Sequence, residues 1–141
     1  MTVASCPCEH LPVIEYPSSR PIAPIVVLPL LRQTAWGAGR TDADFAMALG
    51  AAAIHPVPGR DGKWVGFARA ITDDVHRSFI EDVVVDASLR GQGVGRQLVR
   101  ELLERCADVE VVALDCPGEL VPFYVELGFA PSARIRGWRS C

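Results

Sequence analysis

The chain has 141 residues, of which 50% are hydrophobic and 22% charged, and its formal net charge is −3 at pH 7. This length can bury the core of one compact domain and leaves no room for a second. The net negative charge argues against nucleic acid as an obligatory partner. No apolar run reaches the roughly 18 residues that cross a bilayer, and the first residues lack the basic and apolar segments of a secretory signal. These features predict a cytoplasmic protein that does not enter a membrane.

Residues 1–11 are predicted to form an extension before a single domain over residues 12–141. The five cysteines are odd in number and scattered, so they do not predict a disulfide framework. Cys6, Cys8 and His10 could provide half of a metal site, but their spacing is not a standard zinc signature and no second ligand pair is evident. We therefore predict an N-terminal segment without a metal.

The segment that follows is irregular. Residues 13–16 have the composition of a short strand, whereas residues 25–28 fit a strand or a helix, and Pro29 is expected to interrupt either. Thr41 and the acids after it form a helix-capping pattern. This pattern predicts a short helix over residues 45–49.

The middle of the chain predicts a mixed α/β sheet. Residues 51–57 and 63–72 are separated by a turn rich in glycine, so they should pair as an antiparallel hairpin. Residues 78–85 are rich in β-branched residues and predict another strand. An apolar stripe over residues 94–106 predicts an amphipathic helix, and residues 109–114 read as a strand. Because a helix links them, the last two strands should be parallel.

The loop of residues 90–95, here called the glycine loop, lies just before this helix. Gly91, Gly93 and Gly95 expose backbone N–H groups at a helix N-terminus, which predicts a phosphate or pyrophosphate ligand. The only lysine of the chain, Lys63, is far away, so the loop is not a Walker loop. The glycine spacing is also one residue short of the dinucleotide fingerprint.

The loop fits a motif of a known family. The motif Arg/Gln-x-x-Gly-x-Gly/Ala is filled by Arg90, Gly93 and Gly95. On these residues the chain resembles the GNAT superfamily of acyl-CoA-dependent N-acetyltransferases. The segments similar to the family's third strand, fourth strand and motif B are residues 63–70, 81–85 and 121–129. The motif B segment especially resembles that of arylalkylamine, or serotonin-type, N-acetyltransferases.

The resemblance implies an α/β fold with a mixed, mostly antiparallel sheet, flanked by about four helices, in which strands four and five are parallel and splay apart. The first helix should end before Trp36, and the first two helices with their connecting loop would form a lid. Only twelve residues follow Phe129, whereas the family usually ends with two further strands. Residues 134–139 can supply one at most, so either the N-terminal segment or a second subunit, as a homodimer, could complete the sheet edge.

The resemblance also implies acetyl-CoA as the co-substrate. In the family, the pantetheine amides pair with the backbone of strand four and the pyrophosphate lies on the glycine loop. The residues implied to bind acetyl-CoA are Val83, Val84, Val85, Arg90, Gly91, Gln92, Gly93, Val94, Gly95 and Arg96.

Two adjacent acids, Glu81 and Asp82, lie in an apolar strand, so they should point to opposite faces with at least one partly buried. Glu81 is where related acetyltransferases often carry the general base that deprotonates the substrate ammonium, although serotonin-type enzymes use histidines on this strand. Alternatively, one acid only pairs with Arg69 or Arg77. Glu81 and Trp36 would form an acidic, aromatic acceptor pocket.

Tyr124 lies on a last helix that is predicted to begin near Glu119 and to end at Gly128. In the family, the tyrosine at this position points at the sulfur of coenzyme A. Its phenol could protonate the departing thiolate. The alternative is a tyrosine that only fills the core.

These residues predict an acetyl-CoA-dependent N-acetyltransferase that transfers an acetyl group to a small primary amine by direct attack in a ternary complex, without a metal. A protein or peptide N-acetyltransferase remains an alternative within enzymes. A catalytically silent acyl-CoA-binding sensor module is the alternative from another class. The amine itself is not predicted, because no motif describes an acceptor pocket.

Overall fold

The structure is a computed structural model that describes residues 27–50, 53–58 and 63–132. Its elements in chain order are α1 (Leu28–Leu31), α2 (Asp42–Gly50), β1 (Ala53–Pro58), β2 (Trp64–Thr72), β3 (Arg77–Val85), α3 (Val94–Arg105), β4 (Val111–Leu114) and α4 (Val121–Val125). Short 3-10 helices precede α3 and α4 at Ala87–Leu89 and Gly118–Leu120. Within the described ranges, every helix is too short or too polar to cross a membrane.

Some predictions concern residues outside these ranges. They are the N-terminal extension with Cys6, Cys8 and His10, the strand at residues 13–16 and the short strand at residues 134–139. All of them stay predictions, as does the domain boundary at residue 12.

The four strands form one sheet in the order β1-β2-β3-β4. β2 is antiparallel to both β1 and β3, whereas β3 is parallel to β4 from the pair Arg77↔Val111 to the pair Ile80↔Leu114. The predicted antiparallel hairpin and the predicted parallel pair of strands are therefore confirmed. The numbering of the parallel pair as strands four and five depends on the strand that was predicted at residues 13–16. β3 continues to Val85 after β4 has ended, so no described strand pairs with this half of β3 on the β4 side.

A β-bulge interrupts β3 at Glu81. Arg69 pairs with Asp82 while its neighbour Ala70 pairs with Ile80, so Glu81 is an extra residue without a partner on β2. Ile80 packs on the α3 side of the sheet, and Val84 packs on the opposite side. Regular alternation would have placed these two side chains on one face.

α3 follows the predicted pattern closely. Its 12 residues bury Val94, Leu98, Val99 and Leu102. Together with Ala68, Ala70 and Ile80, most of these residues form the core between α3 and the sheet. An amphipathic helix that connects two parallel strands must cover one face of the sheet, and α3 does so.

The other face is covered by the lid, residues 27–50, which consists of α1, α2 and their connecting loop. α1 contains Pro29 in its first turn, where the missing N–H would have had no helical partner. The expectation that Pro29 interrupts a helix is therefore wrong. α2 begins earlier than predicted, because Thr41 and Asp44 cap it reciprocally: Asp44 N donates to Thr41 Oγ1 at 3.2 Å and Thr41 N donates to Asp44 Oδ2 at 2.8 Å.

The second core lies between the lid and the sheet. It is formed by Val27, Leu28, Leu30, Leu31, Phe45, Phe67 and Val84. The sheet is therefore covered on both faces, which explains why residues 83–85 are all apolar and show no alternation.

β4 and α4 line a cavity of about 650 Å³ together with residues 128–132. α4 is closed at Gly128, which adopts φ 94°, and by the bond from Phe129 N to Tyr124 O at 3.1 Å. Within the described residues, β4 has a neighbouring strand on one side only. The predicted completion of this edge by a second subunit stays untested.

Candidate active site

The glycine loop has the backbone shape that an anion site needs. Gly91 and Gly93 adopt positive φ angles of 75° and 87°, and Gly93 is the N-cap of α3. The first intrahelical bond joins Gln97 N to Gly93 O at 3.1 Å. The N–H groups before Gln97 therefore have no partner within the helix and face the loop. They are available to an anionic group at the positive end of the helix dipole.

The polar side chains of the loop hold its shape. Arg90 Nε donates to Val85 O at 3.1 Å, and Gln92 Nε2 donates to Ser88 O at 3.1 Å. Arg96 forms an ion pair with Glu126, which joins α3 to the end of α4. These contacts tie the loop to the end of β3, to the 3-10 helix before it and to α4, and they use side chains rather than the N–H groups of the loop.

Val85 connects the glycine loop with the free half of β3. A Cβ atom at Gly95 would lie 3.4 Å from Val85 Cγ2 and 3.8 Å from Phe123 Cζ, so β3, α3 and α4 meet at this glycine. Residues 83–85 pair with β2 on one side and lie beyond the end of β4 on the other. The structure therefore brings together the two backbone segments that were predicted to bind acetyl-CoA.

Glu81 and Asp82 both reach one buried guanidinium. Arg69 Nε donates to Asp82 Oδ2 at 2.7 Å, and Arg69 Nη2 lies 3.9 Å from Glu81 Oε2. The side chains of Asp82 and Arg69 are 4% and 8% exposed, whereas that of Glu81 is 35% exposed. The prediction that the two acids point to opposite faces is wrong, because the bulge turns both toward Arg69. The predicted pairing with Arg69 is confirmed.

Arg40 extends this cluster to Trp36. Its Nη1 lies 3.5 Å from the other oxygen of Asp82, Oδ1. The guanidinium carbon lies 5.0 Å from the centroid of a Trp36 ring and 5.8 Å from that of Phe45. Trp36 and Glu81 therefore belong to one chain of contacts, but the aromatic ring that was predicted to attract the substrate ammonium already contacts a cation of the protein.

Tyr124 is 8% exposed and lines the cavity beside β4 together with Cys116. Its ring packs edge-on against Phe123 and Phe129, at centroid distances of 4.9 and 5.8 Å. Burial raises the pKa of the phenol above its ordinary value of 10.0, and Cys116 adds to this shift. The phenol therefore stays protonated at neutral pH, and its hydroxyl makes no hydrogen bond to a residue in the described part of the chain.

Residues that the sequence analysis did not propose also belong to this site. Arg40 and Gln33 both lie in the lid. Arg40 forms an ion pair with Asp82 of β3, and Gln33 donates a hydrogen bond to Asp86 in the turn after it. No local pattern marks either residue, because their partners depend on how the lid folds over the sheet. Within residues 27–50, 53–58 and 63–132, no group of three or more potential metal ligands lies together.

Comparison with known proteins agrees with this geometry. Residues 27–129 match the profile of the Acetyltransferase (GNAT) family. The chain belongs to this family. The more specific likeness to arylalkylamine enzymes is not shown by these comparisons and stays a prediction.

Among individual GNAT proteins, the chain is 46% identical over 52 residues to glucosamine 6-phosphate N-acetyltransferase 1 of Oryza sativa, which covers 36% of this chain and 32% of that protein. It is 39% identical over 69 residues to histone acetyltransferase TAP1 of Glycine max, and this match covers 46% of this chain and 29% of that protein. The chain spans about a third of the length of the curated relatives that it matches.

The fold is also that of solved acetyltransferases. An acetyltransferase of Trypanosoma brucei superposes with a TM-score of 0.70 at 27% identity, over 90% of this chain and 99% of the other. This likeness extends over the lid and the sheet, beyond the shorter stretches that match in sequence.

Proposed function

We propose that this protein transfers the acetyl group of acetyl-CoA to a primary amine by direct attack within a ternary complex. The observation that carries this proposal is the glycine loop, in which two glycines with positive φ angles lead into the N-terminus of α3. The loop lies beside the half of β3 that extends beyond the end of β4. Family membership supports the same reaction.

The residues at this place fit acetyl-CoA. Residues 91–96 would hold the pyrophosphate through their N–H groups, and the backbone of residues 83–85 would pair with the pantetheine amides. Acetyl-CoA supplies the thioester that the amine attacks. Arg90 and Gln92 would act by holding the loop in its shape, since their side chains bond the carbonyls of Val85 and Ser88, which precede the loop.

Glu81 is proposed as the general base. Asp82 is engaged by Arg69 at 2.7 Å and by Arg40 at 3.5 Å, so its carboxylate is committed to ion pairs. Among the described residues, Glu81 forms an ion pair only with Arg69, at 3.9 Å, and its side chain is more exposed than that of Asp82. It can therefore accept a proton from the substrate ammonium, directly or through a water molecule.

Tyr124 is proposed as the general acid. Because burial raises the pKa of its phenol, the group carries its proton at neutral pH. A protonated hydroxyl without a partner among the described residues can donate to the sulfur as the thiolate leaves.

A protein acceptor is the second candidate, since one relative is named a histone acetyltransferase. A thiol-release assay with small amines, amino sugars and lysine peptides separates the candidates. Turnover of small amines with intersecting initial-rate patterns supports the proposal, and peptide turnover alone supports the second candidate. Acetyl-CoA binding without any turnover would indicate the silent module. A homodimer is a further proposal that sedimentation would test.

A further inference from the structure

Arg40 is fixed in position although its side chain is 39% exposed. The ring of Trp36 and the buried ring of Phe45 lie against its guanidinium, at 5.0 and 5.8 Å, and Asp82 Oδ1 lies 3.5 Å from its Nη1. Contacts with two aromatic rings and one carboxylate restrain a guanidinium in a defined place. The exposed part of Arg40 is therefore a preorganised cation on the lid side of the sheet.

The charge of Arg40 is only partly neutralised. Asp82 makes its short bond with Arg69, at 2.7 Å, and only a longer contact with Arg40. Within the described residues, the guanidinium of Arg40 makes no hydrogen bond that meets ordinary geometric limits, so its five N–H donors are largely unused. Once Glu81 takes a proton from the substrate, Arg69 and Arg40 share the carboxylate of Asp82, and among the described residues Asp44 is the other acid whose charge interacts with Arg40.

We propose that Arg40 binds an anionic group, a carboxylate or a phosphate, on the acceptor, so that the preferred substrate is a primary amine that also carries a negative charge. This inference rests on the proposed function and specifies its substrate class. A guanidinium with free N–H donors matches both oxyanions through paired hydrogen bonds. Glu81 would then receive the ammonium end of the acceptor while Arg40 holds its anionic end.

The experiment compares acceptors that differ in the anion: ethanolamine with O-phosphoethanolamine, and glycinamide with glycine. Because the anion also raises the pKa of the amine, kcat/KM is expressed per concentration of free amine. In at least one pair, wild type should show a higher kcat/KM with the anionic member than with the neutral one. The pair that shows the larger preference identifies the anion as phosphate or carboxylate. Arg40→Gln should lower kcat/KM for the anionic member of that pair by about 10- to 100-fold, and for its neutral partner by less than about threefold. Arg40→Lys, which keeps the charge, should retain part of the preference.

Arg100→Gln is the matched control, because it removes one positive charge from an exposed position of α3. It should leave the preference unchanged. Equal losses for both members of a pair in Arg40→Gln, or no preference in wild type, would overturn the inference. If no amine is acetylated, the proposed function is contradicted, and this result alone does not contradict anion binding by Arg40. Calorimetric binding of O-phosphoethanolamine to the coenzyme A complex then decides the role of Arg40, since unchanged affinity in Arg40→Gln contradicts it.

Discussion

Gln33 and Asp86 join the lid to the turn that leads into the glycine loop. Gln33 Nε2 donates to Asp86 Oδ2 at 3.0 Å, and Gln33 Oε1 accepts from Ala87 N at 2.9 Å. Asp86 also accepts from Ser88 N at 2.9 Å and so caps the 3-10 helix before the glycine loop. One amide side chain therefore connects the region proposed for the acceptor with the region proposed for acetyl-CoA.

The first prediction is that Gln33→Ala raises the KM for both acetyl-CoA and the amine, because the lid and the glycine loop lose their common support. Each lost hydrogen bond is worth about 1 kcal/mol, so an increase of several-fold is expected. Gln97→Ala is the matched control, since this amide only bonds Glu101 on the same helix, at 3.1 Å. Initial-rate kinetics with both substrates would measure the effect, and a change in one KM alone would contradict it.

The second prediction concerns acid stability. Hydrogen bonds from Ser88, and then from Gln33, lower the pKa of Asp86 from 3.8 to about 2. A carboxyl whose pKa is lower in the folded state stabilises the fold above its unfolded pKa, and this contribution is lost as pH falls through the folded value. The difference in unfolding free energy between wild type and Asp86→Asn should therefore shrink between about pH 4 and pH 2. A difference that is constant with pH would mean that ionised Asp86 does not contribute.

The third prediction is that Gly93→Val abolishes stabilisation by acetyl-CoA. Wild type should gain about 2.7 kcal/mol at 100 times the dissociation constant. Gly93 has φ 87°, so valine also strains the fold by roughly 1–2 kcal/mol.

Gly128→Val separates the two effects, because Gly128 has φ 94° and lies at the end of α4. This variant should lose similar stability and keep its thermal shift with acetyl-CoA. If both variants keep the shift, the glycine loop is not the cofactor site.

The fourth prediction compares the two acids of the bulge. Glu81→Gln should leave stability nearly unchanged, lower kcat and remove the acid limb of the pH profile. Asp82→Asn should lower the unfolding free energy by about 3 kcal/mol, because it removes the short 2.7 Å ion pair of the buried Arg69 and leaves only the 3.9 Å contact with Glu81 among the described residues. Thermal melting and pH-rate profiles would distinguish them. An intact acid limb in Glu81→Gln would assign the base elsewhere.

The fifth prediction is that Tyr124→Phe lowers kcat about 100-fold while stability and acetyl-CoA affinity stay close to wild type. The ring contacts with Phe123 and Phe129 remain, and the hydroxyl has no hydrogen bond to lose within the described residues. The loss should become smaller as pH rises, because a thiolate then leaves without protonation. Wild-type turnover, or a loss in proportion to unfolding, would place Tyr124 in the core only.

The elements that sequence predicted well are those specified locally. α3 has its apolar stripe, and the glycine loop has three glycines of which two adopt positive φ. The bulge at Glu81 was not predictable, because it is a difference of register between β3 and β2 and leaves no local signature. The contacts of Arg40 and Gln33 were missed for the same kind of reason, since each joins residues far apart in sequence.

The bulge also has a consequence for comparing β3 with related strands. Arg69 and Ala70 face Asp82 and Ile80 in continuous register. β3 is thus an ordinary strand that carries one inserted residue, and the insertion is the proposed base. Deleting Glu81 would leave Ile80, Asp82 and Val84 on their present faces, whereas deleting Ile80 or Asp82 would put Glu81 in the vacated position of the ladder. The proposed proton acceptor is therefore separable from the fold, and an alignment gap at Glu81 marks the absence of this carboxylate without a change of architecture.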